Sequence, residues 1–258
     1  MLKFSNSSQL LNKVLNYQKE AYINEIDKTI TINDSYLNEF SKSENSVKII
    51  YDHAHFKILY ISDNIETLSG YPSQVFEDFN ALFTLPIFTL EHQNFIYVWL
   101  NWAFSRHFKY GDSYDIKQIM CGIKVKHKDG SIMRLLLRHY TLTETEEGFP
   151  IIGALTIDDI THLMKADFYW GRIECGRENR VIHHLLSTDE EDKPSDILTD
   201  REKETLRLLA QGKESKEIGQ LLHISSHTVD NHRRNMITKI GVRDTTGLLQ
   251  ICKMTGII

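Results

Sequence analysis

A polar, acidic stretch at residues 187–197, STDEEDKPSDI, cuts this 258-residue chain into two unlike parts. It carries four consecutive acids at Asp189–Asp192 and a proline at Pro194, and no apolar face runs through it. Such a segment cannot bury a core and reads as a linker. After it, apolar residues recur only at helical spacing. Before it, from about Val47 to Ile160, strand-like and helix-like patterns alternate. The chain therefore has to fold as a mixed body followed by a small all-helical unit. The parts also differ in charge. Residues 197–258 hold ten Lys and Arg against seven Asp and Glu, and the remainder is acidic, giving −5 overall. A basic tail on an acidic body points weakly to nucleic acid as the tail's partner.

Four helices are expected in the tail. Thr199 and Glu202 have capping-box spacing ahead of Leu206, Leu209 and Ala210, and Gly212 stops that helix. A second begins at Ser215 with Ile218, Leu221 and Leu222 on one side. A third is capped by Ser225 or Ser226, and a fourth runs from about Asp244 with Leu248, Leu249, Ile251 and Cys252 apolar. On the third helix, at ~100° per residue, Val229, Met236 and Ile240 cluster while His227, Asn231, Arg234 and Thr238 face away. Arg and Asn can each make paired hydrogen bonds to a base edge, so this face suits the major groove. An ordinary amphipathic surface helix would show the same periodicity.

The spaced identities go further. Leu198, Thr199, Arg201 and Glu202, then Gly212, Lys216, Glu217 and Ile218, then Ile224, Ser225, Thr228, Val229 and His232, and finally Lys239, Ile240, Gly241 and Val242 resemble the LuxR-type helix-turn-helix over about 60 residues. Ser215 stands where Asn is usual, Gly219 where Ala is usual, and Asp230 where Lys is frequent. The resemblance implies a separate four-helix domain at 197–258 whose third helix enters the major groove. It implies base contacts from Asn231, Arg234, Asp230 and His227. It implies phosphate contacts from Lys216, Ser225, Thr228 and Lys239, and dimerisation through Leu248, Leu249 and Cys252. Asn231 and Arg234 are the better base readers, because a carboxylate at Asp230 repels phosphate. His232 falls near the buried side.

In the body, strands are expected at Val47–Tyr51, Phe56–Ser62, Ile116–His127, Ser131–Thr143 and Ile151–Asp158. Short helices flank Gly70-Tyr71-Pro72, and a longer helix spans about Leu90 to His107. Lys128-Asp129-Gly130 is a hairpin signal. This α+β order, with Leu68-Ser69-Gly70-Tyr71 and the closing Ile157-Asp158-Asp159-Ile160-Thr161, resembles a PAS domain over 47–161. The resemblance implies a five-stranded antiparallel sheet with flanking helices, and a sensing or dimerising role. Residues 1–46 read as a helical extension carrying Leu10, Leu11, Val14 and Leu15, and 162–196 as a connector with a hairpin between Phe168-Tyr169-Trp170 and Val181-Ile182, then the acidic linker.

No cofactor is evident. FNALFTLP lacks the cysteine that flavin photochemistry in such domains needs. His92 and His107 are eligible haem ligands by position, but single helical histidines are more often solvated, so haem is disfavoured. The aromatic set Phe95, Tyr97, Trp99, Trp102 and Phe104 reads as packing. His53 and His55 lack a third ligand, so no metal site is read. A small-molecule PAS ligand or a protein partner remains open. No catalytic motif is present, and Asp158-Asp159 closes the last strand rather than the first, unlike a phosphoacceptor pair; no enzyme activity is expected. Three unspaced cysteines, no long apolar run and no signal sequence lead to a cytoplasmic, non-membrane protein as the expectation. The leading expectation is a homodimeric bacterial transcription regulator on a two-fold DNA site. The alternative is a PAS protein-interaction adaptor whose helical domain serves mainly in dimerisation.

Overall fold

The computed structural model describes residues 31–32, 38–40, 42, 45–52, 57–76, 116–144, 150–166, 170–175, 180–185 and 197–258. The stretch near 90–107 where a long helix is expected, with His92, His107 and the aromatic set, lies outside the described residues. So do His53, His55, the first thirty residues and most of the acidic linker.

All five predicted strands form, at β2 (Val47–Asp52), β3 (Lys57–Ile61), β4 (Ile116–Lys126), β5 (Ile132–Glu144) and β6 (Pro150–Asp159). They pair antiparallel in the order β3-β2-β6-β5-β4. The sheet continues beyond these five. β7 (Trp170–Cys175) pairs with the free edge of β4 and β8 (Arg180–Leu185) with β7, while the short β1 (Thr31–Ile32) pairs with the far end of β5. The hairpin predicted in the connector is thus part of the sheet, and the sheet has eight strands among the described residues.

Between β3 and β4, helix α1 (Ile65–Ser69) and a 3-10 turn (Ser73–Phe76) lie on the inner face. Gly70 ends α1 at φ 74°, and a Cβ there would sit 2.6 Å from His127 Nε2 and 2.8 Å from Lys128 Cβ. Glycine is therefore dictated twice, by the left-handed backbone and by the close approach of the β4–β5 hairpin. Ile49, Ile58, Ile65, Phe76, Ile123 and Leu137 build the inner core.

The outer face is equally apolar. Ile119, Cys121, Leu136 and Trp170 lie there, fully buried, and they are covered by the C-terminal helices. Those helices are α2 (Asp200–Ala210), α3 (Ser215–Leu222), α4 (Ser226–Ile240) and α5 (Thr245–Met254). Leu206, Met236, Ile240, Leu248, Ile251 and Cys252 join the outer-face residues in one continuous core.

Polar contacts fix this docking. The Trp170 indole N–H donates to Ile240 O at 3.2 Å, and Arg172 Nη1 donates to Thr255 O at 3.0 Å. Arg138, held by Asp158 at 2.6 Å, reaches Met254 O at 3.5 Å. Two guanidinium groups thus meet carbonyls at the C-terminal end of α5, where positive charge complements the helix dipole. The backbone joins in. Lys165 and Ala166 N–H donate to Gly241 O, and Arg243 N–H donates to Leu163 O.

Candidate nucleic-acid interface

Local signals in the sequence build the helical domain as they should. Thr199 caps α2 and forms the full capping box with Glu202. Ser225 caps α4, its hydroxyl accepting from Thr228 N at 3.0 Å, and Asp244 caps α5. The turn between α3 and α4 is tight. His223 takes a left-handed conformation at φ 54°, and Gly219 packs so closely that a Cβ would lie 2.7 Å from Ile224 O. The Arg201 guanidinium donates to Leu222 O at the end of α3, tying α2 to the turn.

On α4, Val229, Met236 and Ile240 are fully buried, so the helix has the predicted back. His227, Asn231, Arg234 and Thr238 are exposed together on the opposite side. Arg234 Nη2 donates to Asn231 Oδ1 at 2.5 Å, so the two predicted base readers already contact one another. Such a pair presents guanidinium and amide donors side by side, with the planar fork that base edges accept. Ser225 and Thr228 are joined through their hydroxyls at 2.8 Å, and Lys216 is exposed at the start of α3.

Three groups of the expected contact residues have partners within the chain. Lys239, expected at phosphate, has its Nζ 2.7 Å from Glu202 Oε2, a carboxylate buried under the capping box. A buried carboxylate is stabilised by a paired cation, and Lys239 supplies it while its own side chain stays partly exposed. Burial pushes the Glu202 pKa up, but the Lys239 and Thr199 hydrogen bonds outweigh it and hold it below the usual value. Asp230, expected among base contacts, has an Oδ1 that accepts from Ser215 Oγ at 2.7 Å and pairs with Arg233 Nη2 at 3.1 Å. Leu248, Leu249 and Cys252 are the residues expected at a dimer contact. Leu248 and Cys252 are completely buried against the chain's own sheet, and half-buried Leu249 packs on the same cluster. Arg201, Arg233 and Trp170 carry structure here that the sequence reading did not assign to them.

A cleft of about 610 Å³ opens where the sheet end meets α5. Asn45, Asn64 and Leu68 line it from one side, and His162, Lys253 and Met254 from the other. Among the described residues, no three or more His, Cys, Asp or Glu side chains gather as a metal site, and no helix is long and apolar enough to cross a membrane.

Comparison with known proteins agrees with this geometry. Residues 196–252 match the family of bacterial regulatory proteins of the luxR type. Over 77 residues the chain is 37% identical to the transcriptional regulatory protein MctR of Rhizobium johnstonii, covering 30% of this chain and 36% of that protein. Over 75 residues it is 39% identical to the transcriptional regulatory protein LiaR of Bacillus subtilis, covering 29% and 36%. The chain spans about a third of the length of these relatives. A ligand and DNA complex of Vibrio cholera VqmA aligns with 88% of each chain at 16% identity, with a TM-score of 0.32.

Proposed function

We propose that this chain, whose residues 196–252 form a LuxR-family regulatory domain, is a sequence-specific DNA-binding regulator of transcription. The observation that carries the reading is the α4 face. Its base-reading pair, Asn231 and Arg234, is exposed and prearranged, while the opposite side of the helix is fully buried. The sheet domain acts as the sensor. A small molecule in the cleft beside Lys253 and Met254 would touch both the sheet and α5. It could then shift how the helical domain sits, a change in population between docked and released states.

This reading gives the docking a consequence. Two copies can pair through α5 only after the helical domain leaves the sheet, because Leu248 and Cys252 are occupied while it is docked. Release favours the homodimer and its two-fold site; docking leaves α4 exposed on a single copy. The chain itself performs no chemistry in this account. The test is Arg234→Ala on a DNA sequence enriched by the wild-type chain. Specific binding should weaken by roughly 1–3 kcal/mol, with relaxed preference at the contacted base. Unchanged affinity and unchanged preference would refute the role of the face.

A further inference from the structure

The cleft at the end of the sheet lies where the two cores of the molecule meet. Val47, Leu68, Met133 and Ile157 line it from the inner core, and Leu163 and Met254 from the core shared with the C-terminal helices. Its floor is therefore apolar on both sides of the domain boundary. At about 610 Å³ it falls within the ~300–1,000 Å³ usual for small-molecule sites, where an apolar lining and a few polar groups work together.

The polar groups of the cleft are unevenly used. Asp158 is held by Arg138 at 2.6 Å and by the Ser46 hydroxyl at 2.6 Å. Asp159 Oδ1 accepts from both the backbone N–H and the hydroxyl of Thr161. Asn64 Oδ1 accepts from the Ser62 hydroxyl at 2.6 Å. Each of these acceptors is thus engaged within the sheet domain. The donors are not. Thr67, His162, Gln250 and Lys253 have no partner among the described residues. Lys253 is the one Lys or Arg of the lining, and Gln250 stands three residues before it, on the same flank of α5. What the cleft lacks is an acceptor beside Lys253 and an apolar body over the floor.

We propose that the cleft binds an amphiphilic carboxylate, its apolar body on the floor and its head at Lys253 and Gln250, and that this ligand holds the helical domain on the sheet. The inference rests on the regulator reading above for what docking controls. An ionised head at an ammonium and an amide makes charge-assisted hydrogen bonds, the strong kind. The direction of the effect follows from where the groups come from. Gln250, Lys253 and Met254 belong to α5, and Val47, Leu68 and Met133 to the sheet domain. Undocking separates the two sets, so the whole site exists only in the docked chain. A ligand that binds one state better shifts the population toward it. Binding therefore keeps Leu248 and Cys252 covered, and the ligand is a brake on the two-fold DNA complex rather than its trigger.

The experiment uses the full chain and two probes below their micelle concentrations: decanoate, which has body and head, and 1-decanol, which has the same body without the charge. Titration calorimetry should show one decanoate bound per chain, roughly tenfold more tightly than decanol. Lys253→Gln should abolish that preference and Lys253→Arg should keep it, with both variants melting as the wild type does, since the position is exposed. Decanoate at about a hundred times its Kd should slow hydrogen exchange at the boundary amides of Lys165, Ala166 and Arg243 by about a hundredfold, leave Ile218 unchanged, and weaken binding to the selected DNA. No decanoate binding, equal affinity for the two probes, or an intact preference in Lys253→Gln would overturn the ligand class. Bound decanoate with unchanged or faster exchange at the boundary amides would overturn the brake. These results leave the DNA-binding reading to its own test, Arg234→Ala. A chain that binds decanoate and slows its boundary amides but selects no DNA would keep the cleft and defeat that reading.

Discussion

Removing Trp170 should undock the helical domain while leaving its fold in place. The side chain is completely buried between the sheet and α4, and its N–H serves the Ile240 carbonyl in the last turn of α4. A Trp covers ~150–250 Å² of surface. At ~25 cal/mol per Å² the transfer term alone is about 4–6 kcal/mol, an upper bound. Trp→Ala truncations in cores cost about 3–5 kcal/mol, to which a lost buried hydrogen bond adds about 1 kcal/mol. Taking about 3 kcal/mol of this as lost docking energy gives roughly a hundredfold increase in undocking. Three backbone amides report on it directly, because Lys165, Ala166 and Arg243 bond across the boundary. In Trp170→Ala their hydrogen exchange should accelerate about a hundredfold. The amide of Ile218, bonded to Glu214 within α3, should keep its rate. Equal exchange at the three boundary amides in wild type and variant would refute the argument that this shared core holds the domains together.

Glu202 makes a prediction about pH. Its folded pKa lies below the ordinary value, so its stabilisation is present above the unfolded pKa of about 4.5 and is lost as pH falls through the folded pKa. Melts from pH 6 to pH 3 should show a steeper loss for the wild type than for Glu202→Gln; parallel curves would contradict it. At Gly70, substitution by Ala meets both a left-handed backbone and the hairpin side chains at 2.6–2.8 Å. It should cost at least ~1–2 kcal/mol in chemical denaturation, and a neutral result would contradict the packing described. At Gly219, Ala should also destabilise, since its Cβ would press on the backbone oxygen of Ile224, which cannot swing aside as a side chain could.

Much of this fold could be read from local signals. The five predicted strands match to within a residue or two because β-branched and aromatic runs and the Lys128-Asp129-Gly130 turn mark them, and caps mark the helices. Pairing between distant segments leaves no such mark. Nothing in Trp170–Cys175 says that it will add to β4, and nothing near Lys239 says that Glu202 will claim it from 37 residues away. One signal of the docking was present all the same. Ile49-Ile50, Leu135-Leu136-Leu137 and Ile151-Ile152 are unbroken apolar runs rather than alternating ones, as expected of strands buried on both faces. The alternate members of those runs point at the outer face, where Leu136 meets the helical domain. A second cover was needed, and the C-terminal helices provide part of it. At the site, the exposed face of α4 was legible because helical periodicity is local. The partner of Asp230 was not legible, because it is Ser215, a residue of another helix.

The central claim is that the exposed face of α4 reads a DNA sequence. It is tested most directly by selection from a random duplex pool with the full chain, run beside the Asn231→Ala, Arg234→Ala double variant. The account predicts an enriched two-fold sequence with the wild type and its loss with the variant. No enrichment by the wild type, or the same sequence enriched by both, would contradict it.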